Sequence, residues 1–100
     1  MPQQTSLSHL WKVRDGDQLR WRCWDDEHVV FDPLSGDTHV LNEIAALALK
    51  RLDAGALDCS DLSERIAAEL DLQADEAMFR HMERLLLKFE DLGLIEPQHQ

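Results

Sequence analysis

Cysteine is scarce in this sequence, and long apolar runs are missing. Cys23 and Cys59 are the only two cysteines in the 100 residues, and they form no CxxC pair. This usage is typical of reduced thiols in the cytoplasm rather than of a disulfide framework. No apolar run approaches the roughly 20 residues that cross a bilayer, and no secretion signal opens the chain. We therefore expect a soluble cytoplasmic protein.

Basic residues are also few. The chain has 10 Lys and Arg against 20 Asp and Glu, which gives a formal net charge of −10. Residues 1–24 carry four basic and two acidic side chains, a net +2, so residues 25–100 carry the remaining −12. An acidic surface repels phosphate backbones and anionic lipid heads. We expect neither nucleic acid nor membrane as a partner.

The residue patterns of catalysis and metal binding are absent as well. None of the five histidines has a His or Cys partner at i,i+4, and no HExxH motif occurs. The segment Ser35-Gly36-Asp37 is a turn signature and lacks the strand-elbow-helix context of a nucleophilic serine. No glycine-rich loop could hold a phosphate. The sequence predicts no catalytic residue, no metal and no cofactor, and hence a protein that is not an enzyme.

A β-hairpin that runs directly into a helix is the most informative feature that is present. Residues 29–31 and 38–41 are rich in β-branched and apolar side chains. Between them Pro33 and Gly36 favour a turn. Asn42 then stands at the N-cap position of a helix whose apolar residues continue at helical spacing. The strand and the helix are expected to join without a linker.

The rest of the chain predicts a small α+β domain. Leu19, Trp21 and Cys23 alternate with Arg20, Arg22 and Trp24, which is the pattern of a strand covered on one face. We expect a three-stranded antiparallel sheet followed by three helices, with residues 10–13 as a fourth short strand at its start. Gly55 is expected to end the first helix in a left-handed cap, and Asp58 or Ser60 to begin the second.

The last helix is expected to begin at Asp75 and to stop at Gly93. On a helical wheel its apolar stripe faces the core: Met78, Met82, Leu85, Phe89 and Leu92. Opposite the stripe lie Arg80, Arg84, Leu87 and Lys88. An apolar side chain among three cations could bind a peptide with apolar and acidic residues, although a solvated face with ordinary i,i+4 pairs has the same pattern.

These elements together resemble the PqqD family of small peptide-binding domains in modified-peptide biosynthesis. The resemblance is carried by the aliphatic strand, the turn around Pro33, the strand ending in Leu41-Asn42, the Ala-rich helix and the closing Leu92-Gly93-Leu94-Ile95. Trp21-Arg22-Cys23-Trp24 and the segment 31–39 are similar, more narrowly, to PqqD-like members of HPr-rel-A systems, which occur beside an HPr-kinase-related protein. The family implies a winged-helix-like fold and a single peptide-binding domain at 9–97, followed by a tail at 98–100. Residues 1–8 are polar and small, with nothing to pack, and are expected to be frayed.

The resemblance also implies a site and partners. PqqD-like domains capture the leader of a precursor peptide as a strand beside the third strand of the sheet, in a groove against the third helix. Carried over to this chain, the peptide-binding residues are Thr38, His39, Val40, Leu41, Arg80, Arg84, Leu87 and Lys88. Met78 and Met82 are further candidates, because the sequence does not decide which face of the third helix lines the groove. The implied partners are the peptide and a modifying enzyme or HPr-kinase-related protein.

Two other functions stay open at this stage. Strands followed by three helices also fit a winged-helix DNA-binding regulator, in which Arg80, Arg84 and Lys88 would form the recognition face. The short joint at residues 53–56 could let helices exchange between protomers, which would make the chain a structural homodimerisation module.

Overall fold

The computed structural model describes residues 10–98, so the predicted frayed segment 1–8 lies outside the described residues. The predicted α+β class is confirmed, with short antiparallel strands and three helices. In chain order the elements are β1 (Trp11–Val13), β2 (Arg20–Trp24), β3 (Glu27–Asp32), β4 (Asp37–Leu41), α1 (Glu43–Ala54), α2 (Cys59–Glu69), α3 (Glu76–Asp91) and β5 (Ile95–Pro97).

The three-stranded sheet has the order β2-β3-β4 and is antiparallel throughout. Asp25 and Asp26 connect β2 to β3 with φ of 49° and 67°, the positive values that a tight two-residue hairpin needs. Gly36 supplies a φ of 81° in the turn between β3 and β4. Val30, in the centre of β3, is fully buried and fixes which face of the sheet meets the core.

The short strand expected at residues 10–13 forms, but it does not extend this sheet. β1 pairs with β5 in a separate two-stranded sheet, with Trp11 opposite Pro97 and Val13 opposite Ile95. Trp11 also exchanges two backbone hydrogen bonds with Leu57, at 2.8 and 3.0 Å. Because Trp11 and Val13 are buried among the helices, burial draws β1 away from β2.

Each helix begins at a polar cap. The side chains of Asn42, Asp58 and Asp75 accept backbone N–H bonds at 2.9, 2.7 and 2.9 Å from the residues three positions on. Asp58, not Ser60, is therefore the cap of α2.

The expectation of a left-handed cap at Gly55 is wrong. Gly55 has φ of 174° and ψ of 156°, an extended conformation. The chain leaves α1 in this conformation because it runs at once toward Leu57, which pairs with Trp11. The left-handed stop occurs instead at Gly93 after α3, where φ is 78°.

The core lies between the inner face of the three-stranded sheet, the three helices and the β1-β5 pair. Its fully buried large side chains include Trp11, Leu49, Leu52, Leu62, Ile66, Met82, Leu86, Phe89 and Leu94. Ala45, Ala46 and Ala48 are small enough for α1 to lie closely over β3 and β4. This packing places the first turn of α1 beside the end of β4, where the candidate site lies.

Candidate functional site

The outer edge of β4 is the first part of the site. β4 pairs with β3 in the register Val40 to Val29 and Leu41 to His28, and among residues 10–98 no other strand pairs with it. Val40 is 63% exposed and Thr38 is also exposed, whereas His39 and Leu41 are half-buried. An edge of this kind presents unpaired N–H and C=O groups that can accept another strand.

A small groove lies directly beside this edge. It has a volume of about 150 Å³ and is lined by Val40, Leu41, Asn42, Ala45, Leu85, Lys88, Phe89 and Leu92. Phe89 and Ala45 are buried and form an apolar floor, while Lys88 is exposed and is the only cation in the lining. The groove can accept an aliphatic side chain and offers a positive charge next to it.

Local sequence explains why the groove forms. Asn42 follows β4 immediately and caps α1 by accepting the Ala45 N–H at 2.9 Å, so no linker separates strand from helix. The first turn of α1 closes one end of the groove, and the last two turns of α3 supply its wall. The wall residues Leu85, Lys88 and Leu92 recur at i, i+3 and i+7, which places them on one side of the helix.

The structure brings together only part of the set predicted from the sequence. Thr38, His39, Val40 and Leu41 form the edge, and Val40, Leu41 and Lys88 line the groove. Arg80, Arg84 and Leu87 do not line it. Arg80 pairs with Glu76 at 3.1 Å, and Leu87 is 47% exposed, about 100° around α3 from Lys88.

The two methionines occupy different positions. Met82 is fully buried in the core. Met78 lines a second depression of about 360 Å³, together with Ile44, Leu72, Gln73, Asp75, Ala77 and His81. His81 lies one helical turn before Leu85 on the same side of α3, so this depression continues the line of the groove along the helix.

Sequence reasoning missed Leu85, Phe89 and Leu92 as groove residues. All three were assigned to the core stripe of α3, and Phe89 does belong to it. Leu85 and Leu92 are only half-buried and form the flank of the stripe. The position of Lys88 between them was a signal, because a cation on that flank indicates a solvent-accessible boundary.

A buried charge cluster lies at the opposite end of the β3-β4 hairpin. The Nη2 atom of Arg14 lies 3.6 Å from the Asp32 carboxylate and 3.8 Å from the Asp17 carboxylate, and both carboxylates are fully buried. Asp32 also accepts the backbone N–H groups of Leu34 and Ser35 at 3.0 and 3.4 Å. The cluster joins the segment after β1, which carries Arg14 and Asp17, to the turn between β3 and β4, which begins at Asp32.

The two carboxyl groups of this cluster titrate differently. Burial, the hydrogen bond with Asp32 and the charge of Asp32 raise the pKa of Asp17 to about 6. Burial also disfavours charge on Asp32, but hydrogen bonds from Asp17, Ser35 and Leu34 outweigh it and lower the pKa of Asp32. Below about pH 6 Asp17 is therefore the protonated member of the pair, while Asp32 stays ionised.

Neither a metal centre nor a membrane span can be assigned within the described chain. In residues 10–98 no three His, Cys, Asp or Glu side chains are grouped so that they could hold a metal ion. In the same range every helix is too short or too polar to cross a membrane.

The family assignment follows from a sequence comparison. Residues 27–95, from β3 through the first residue of β5, match the model of the family described as coenzyme PQQ synthesis protein D (PqqD). This chain belongs to the PqqD family. The match contains the edge strand, the groove and all three helices. No curated protein matches the chain significantly in sequence.

Solved structures agree with the PqqD assignment at the level of the fold. The PqqD truncation of Methylobacterium extorquens PqqCD, described as a stand-alone RiPP recognition element, has a TM-score of 0.70 and 20% identity, covering 93% of this chain and 95% of that one. TbiB1 in complex with the TbiA(beta) leader peptide has a TM-score of 0.67 and 19% identity, with coverages of 89% and 99%. Lasso peptide synthetase B1 complexed with the leader peptide has a TM-score of 0.64 and 23% identity, covering 87% of this chain and 98% of that one.

Proposed function

We propose that this protein is a non-catalytic recognition module that captures the leader segment of a precursor peptide and presents it to a modifying enzyme. The observation that carries the proposal is the outer edge of β4, which no other strand of residues 10–98 pairs with and which lies against an apolar groove lined by one cation. The peptide adds as a strand beside β4 and forms main-chain hydrogen bonds with it. Alternate side chains of the peptide then reach the groove.

Membership of the PqqD family and two structural relatives support this proposal. TbiB1 and lasso peptide synthetase B1 were both solved with a leader peptide. Both share the fold of this chain across nearly their whole length. The edge strand and the third helix of this chain are available for such a peptide.

The groove favours a particular kind of peptide. Its small apolar volume fits a medium-sized aliphatic side chain, since Phe89, Leu85 and Leu92 offer no hydrogen-bonding groups from their side chains. Lys88 at the rim favours an acidic residue nearby in the peptide. We propose a leader that places an aliphatic and an acidic side chain close together in an extended segment.

The contribution of such a module is local concentration. By holding the leader of the peptide, it raises the effective concentration of the rest of the substrate at the enzyme to which it is bound. We propose a modifying enzyme, or an HPr-kinase-related protein of an HPr-rel-A system, as that partner, and the cytoplasm as the location. Formation of a homodimer by helix exchange remains a prediction that light scattering across concentration tests.

An NMR titration tests the peptide-binding proposal. The probes are synthetic peptides that tile the short open reading frames beside the gene for this protein. We expect one segment to shift the backbone amides of residues 38–41 and the side-chain signals of Leu85 and Leu92. If every binding segment instead shifts only surfaces away from the β4 edge and the groove, the proposal is wrong.

Two proline variants of β4 test strand addition, and each serves as the control for the other. Successive N–H groups along β4 point to opposite sides, so one of His39→Pro and Val40→Pro removes a bond to β3 and the other removes a bond to the vacant side. We expect one variant to melt at a lower temperature. The variant that keeps its melting temperature should lose the peptide, and full binding by that variant would contradict strand addition.

A further inference from the structure

The outer face of the three-stranded sheet carries a second surface, which we call the arginine face. Val30 points into the core, so strand alternation turns Val29 and Phe31 to the other side of β3. Arg22 lies opposite Val29 and Arg20 lies opposite Phe31 on β2. With Thr38 of β4 these four residues line a shallow depression of about 320 Å³.

The two arginines of this face have no partner within the described chain. The ion pairs of residues 10–98 involve Lys12, Arg14, Arg51 and Arg80, and neither Arg20 nor Arg22 forms an ion pair or a side-chain hydrogen bond. Both are exposed in a protein with twice as many acidic as basic residues. Glu27 lies on the same face opposite Trp24, so the positive charge is concentrated at the Arg20 and Arg22 part of the face.

An apolar floor lies beside these charges. Val29 and Phe31 are half-buried, and Trp24 at the end of β2 extends the same face with 65% of its surface exposed. Guanidinium groups bind carboxylates in a two-point geometry, and aromatic and arginine side chains are the residue types enriched in protein interfaces. The combination is complementary to a segment in which acidic and apolar side chains alternate.

The main chain of the peptide proposed for the β4 edge lies away from this patch. Neighbouring strands lie about 4.8 Å apart, so a strand added beside β4 lies about 14 Å from β2. Its acidic side chains therefore stand near Lys88 and Thr38 rather than near Arg20 and Arg22. The two surfaces meet at Thr38, and the arginines of β2 stay free to bind a different chain while the edge is occupied.

We propose that the arginine face docks an acidic, apolar-rich segment of a partner protein. Arg20 and Arg22 pair with carboxylates of that segment, while its apolar side chains cover Val29, Phe31 and Trp24. The identification of this partner as the modifying enzyme rests on the proposed function, whereas the acidic docking segment does not. One molecule could then hold the peptide and the enzyme on different surfaces of one sheet.

An NMR titration of the folded protein with a designed probe tests this inference. The probe is a blocked hexapeptide of alternating glutamate and leucine, and its lysine-leucine counterpart is the control. We expect the glutamate probe to shift the side-chain Nε–H signals of Arg20 and Arg22 and the signals of Phe31, with a dissociation constant that rises with salt. No shift at Arg20 and Arg22 with millimolar probe, or equal shifts with the lysine peptide, would overturn the inference.

Matched variants separate the arginine face from general charge effects. Arg65 is exposed and lies outside the arginine face. Arg22→Gln and Arg65→Gln change the net charge equally, but only Arg22→Gln removes a guanidinium group from the arginine face. We expect Arg22→Gln to weaken binding of the glutamate probe about tenfold and Arg65→Gln to leave it within twofold. Equal losses would overturn the inference. The peptide-binding proposal would be unaffected, because its readout is the β4 edge.

Discussion

β1 and β4 are both short strands next to the helical core, yet one is closed and the other is open. β1 pairs with β5 on one side and exchanges hydrogen bonds with Leu57 on the other, and its Trp11 is only 1% exposed. β4 pairs with β3 alone among residues 10–98, and its Val40 is largely exposed. The same kind of element is structural in one place and available for binding in the other.

The segments that lie next to a strand, rather than the sequence of the strand itself, decide whether its edge is open to another chain. β1 is closed because the extended exit from α1 brings Leu57 to it and the end of α3 brings β5 to it. β4 stays open because the chain turns into α1 at Asn42 instead of adding another strand. A groove separates β4 from the side of α3. Perturbing each strand should therefore affect a different property of the protein.

The largest effect is expected from Trp11→Ala. Removing a fully buried tryptophan leaves a cavity, and such substitutions cost about 3–5 kcal/mol of unfolding free energy. The matched change Val40→Ala in the open strand should cost no more than about 0.5 kcal/mol, because the side chain is exposed. Urea unfolding monitored by circular dichroism measures both. Similar losses would show that β4 is as closed as β1.

The stability that the buried cluster of Arg14, Asp17 and Asp32 provides should depend on pH. Because the folded pKa of Asp17 is about 6 and an unfolded aspartate has a pKa of about 3.9, the folded state binds the proton more tightly. Stability from this group is therefore greatest below pH 4 and is lost as pH rises through about 6. Asp32, whose pKa is lowered, acts in the opposite direction and loses its contribution only at more acidic pH.

The variant Asp17→Asn isolates this effect. The amide has nearly the same shape as the carboxyl group and carries no charge, so the decline between pH 4 and 6 should disappear. Denaturant unfolding at a series of pH values measures the free energy for both proteins. An equal decline in the variant would mean that another group titrates in this range.

Local features of the fold could be predicted from the sequence, whereas pairings between distant segments could not. Asn42, Asp75 and the turn at Gly36 act on residues a few positions away, so their roles follow from the residues alone. The partner of β1 depends on a strand at the other end of the chain, and the expected fourth strand of the sheet was therefore misplaced. Gly55 was misassigned for the same reason, since Leu57 is held by Trp11.

The candidate site shows the same division. The edge residues 38–41 could be identified because a hairpin leaves an outer strand. The helical wheel separated the buried stripe of α3 from the rest, but it could not show which flank of that stripe meets β4. The sequence therefore grouped Leu87 with Lys88, whereas the structure places Leu85 and Leu92 beside Lys88 in the groove.

Charge reversal on α3 sharpens the boundary of the site. Lys88 lines the groove and Arg84 does not, although both are exposed cations one helical turn apart. Lys88→Glu should weaken binding of the peptide identified by the tiled titration about tenfold, and Arg84→Glu about twofold through general charge alone. Isothermal titration calorimetry at low and high salt distinguishes the two. A larger loss for Arg84→Glu would place the peptide along the flank of α3 that carries Arg84 rather than in the groove.

The smallest effect is expected from Leu87→Asp, which tests the open strand against the exposed side of α3. Leu87 is 47% exposed and lies away from the groove, so an aspartate there removes little buried surface. Stability should fall by less than about 1 kcal/mol, mainly from the lower helix propensity and the negative charge near the helix end. Peptide affinity should change by less than twofold. If affinity collapses while the melting curve stays close to that of the unaltered protein, the peptide extends over the exposed side of α3, and the groove beside β4 is only part of the site.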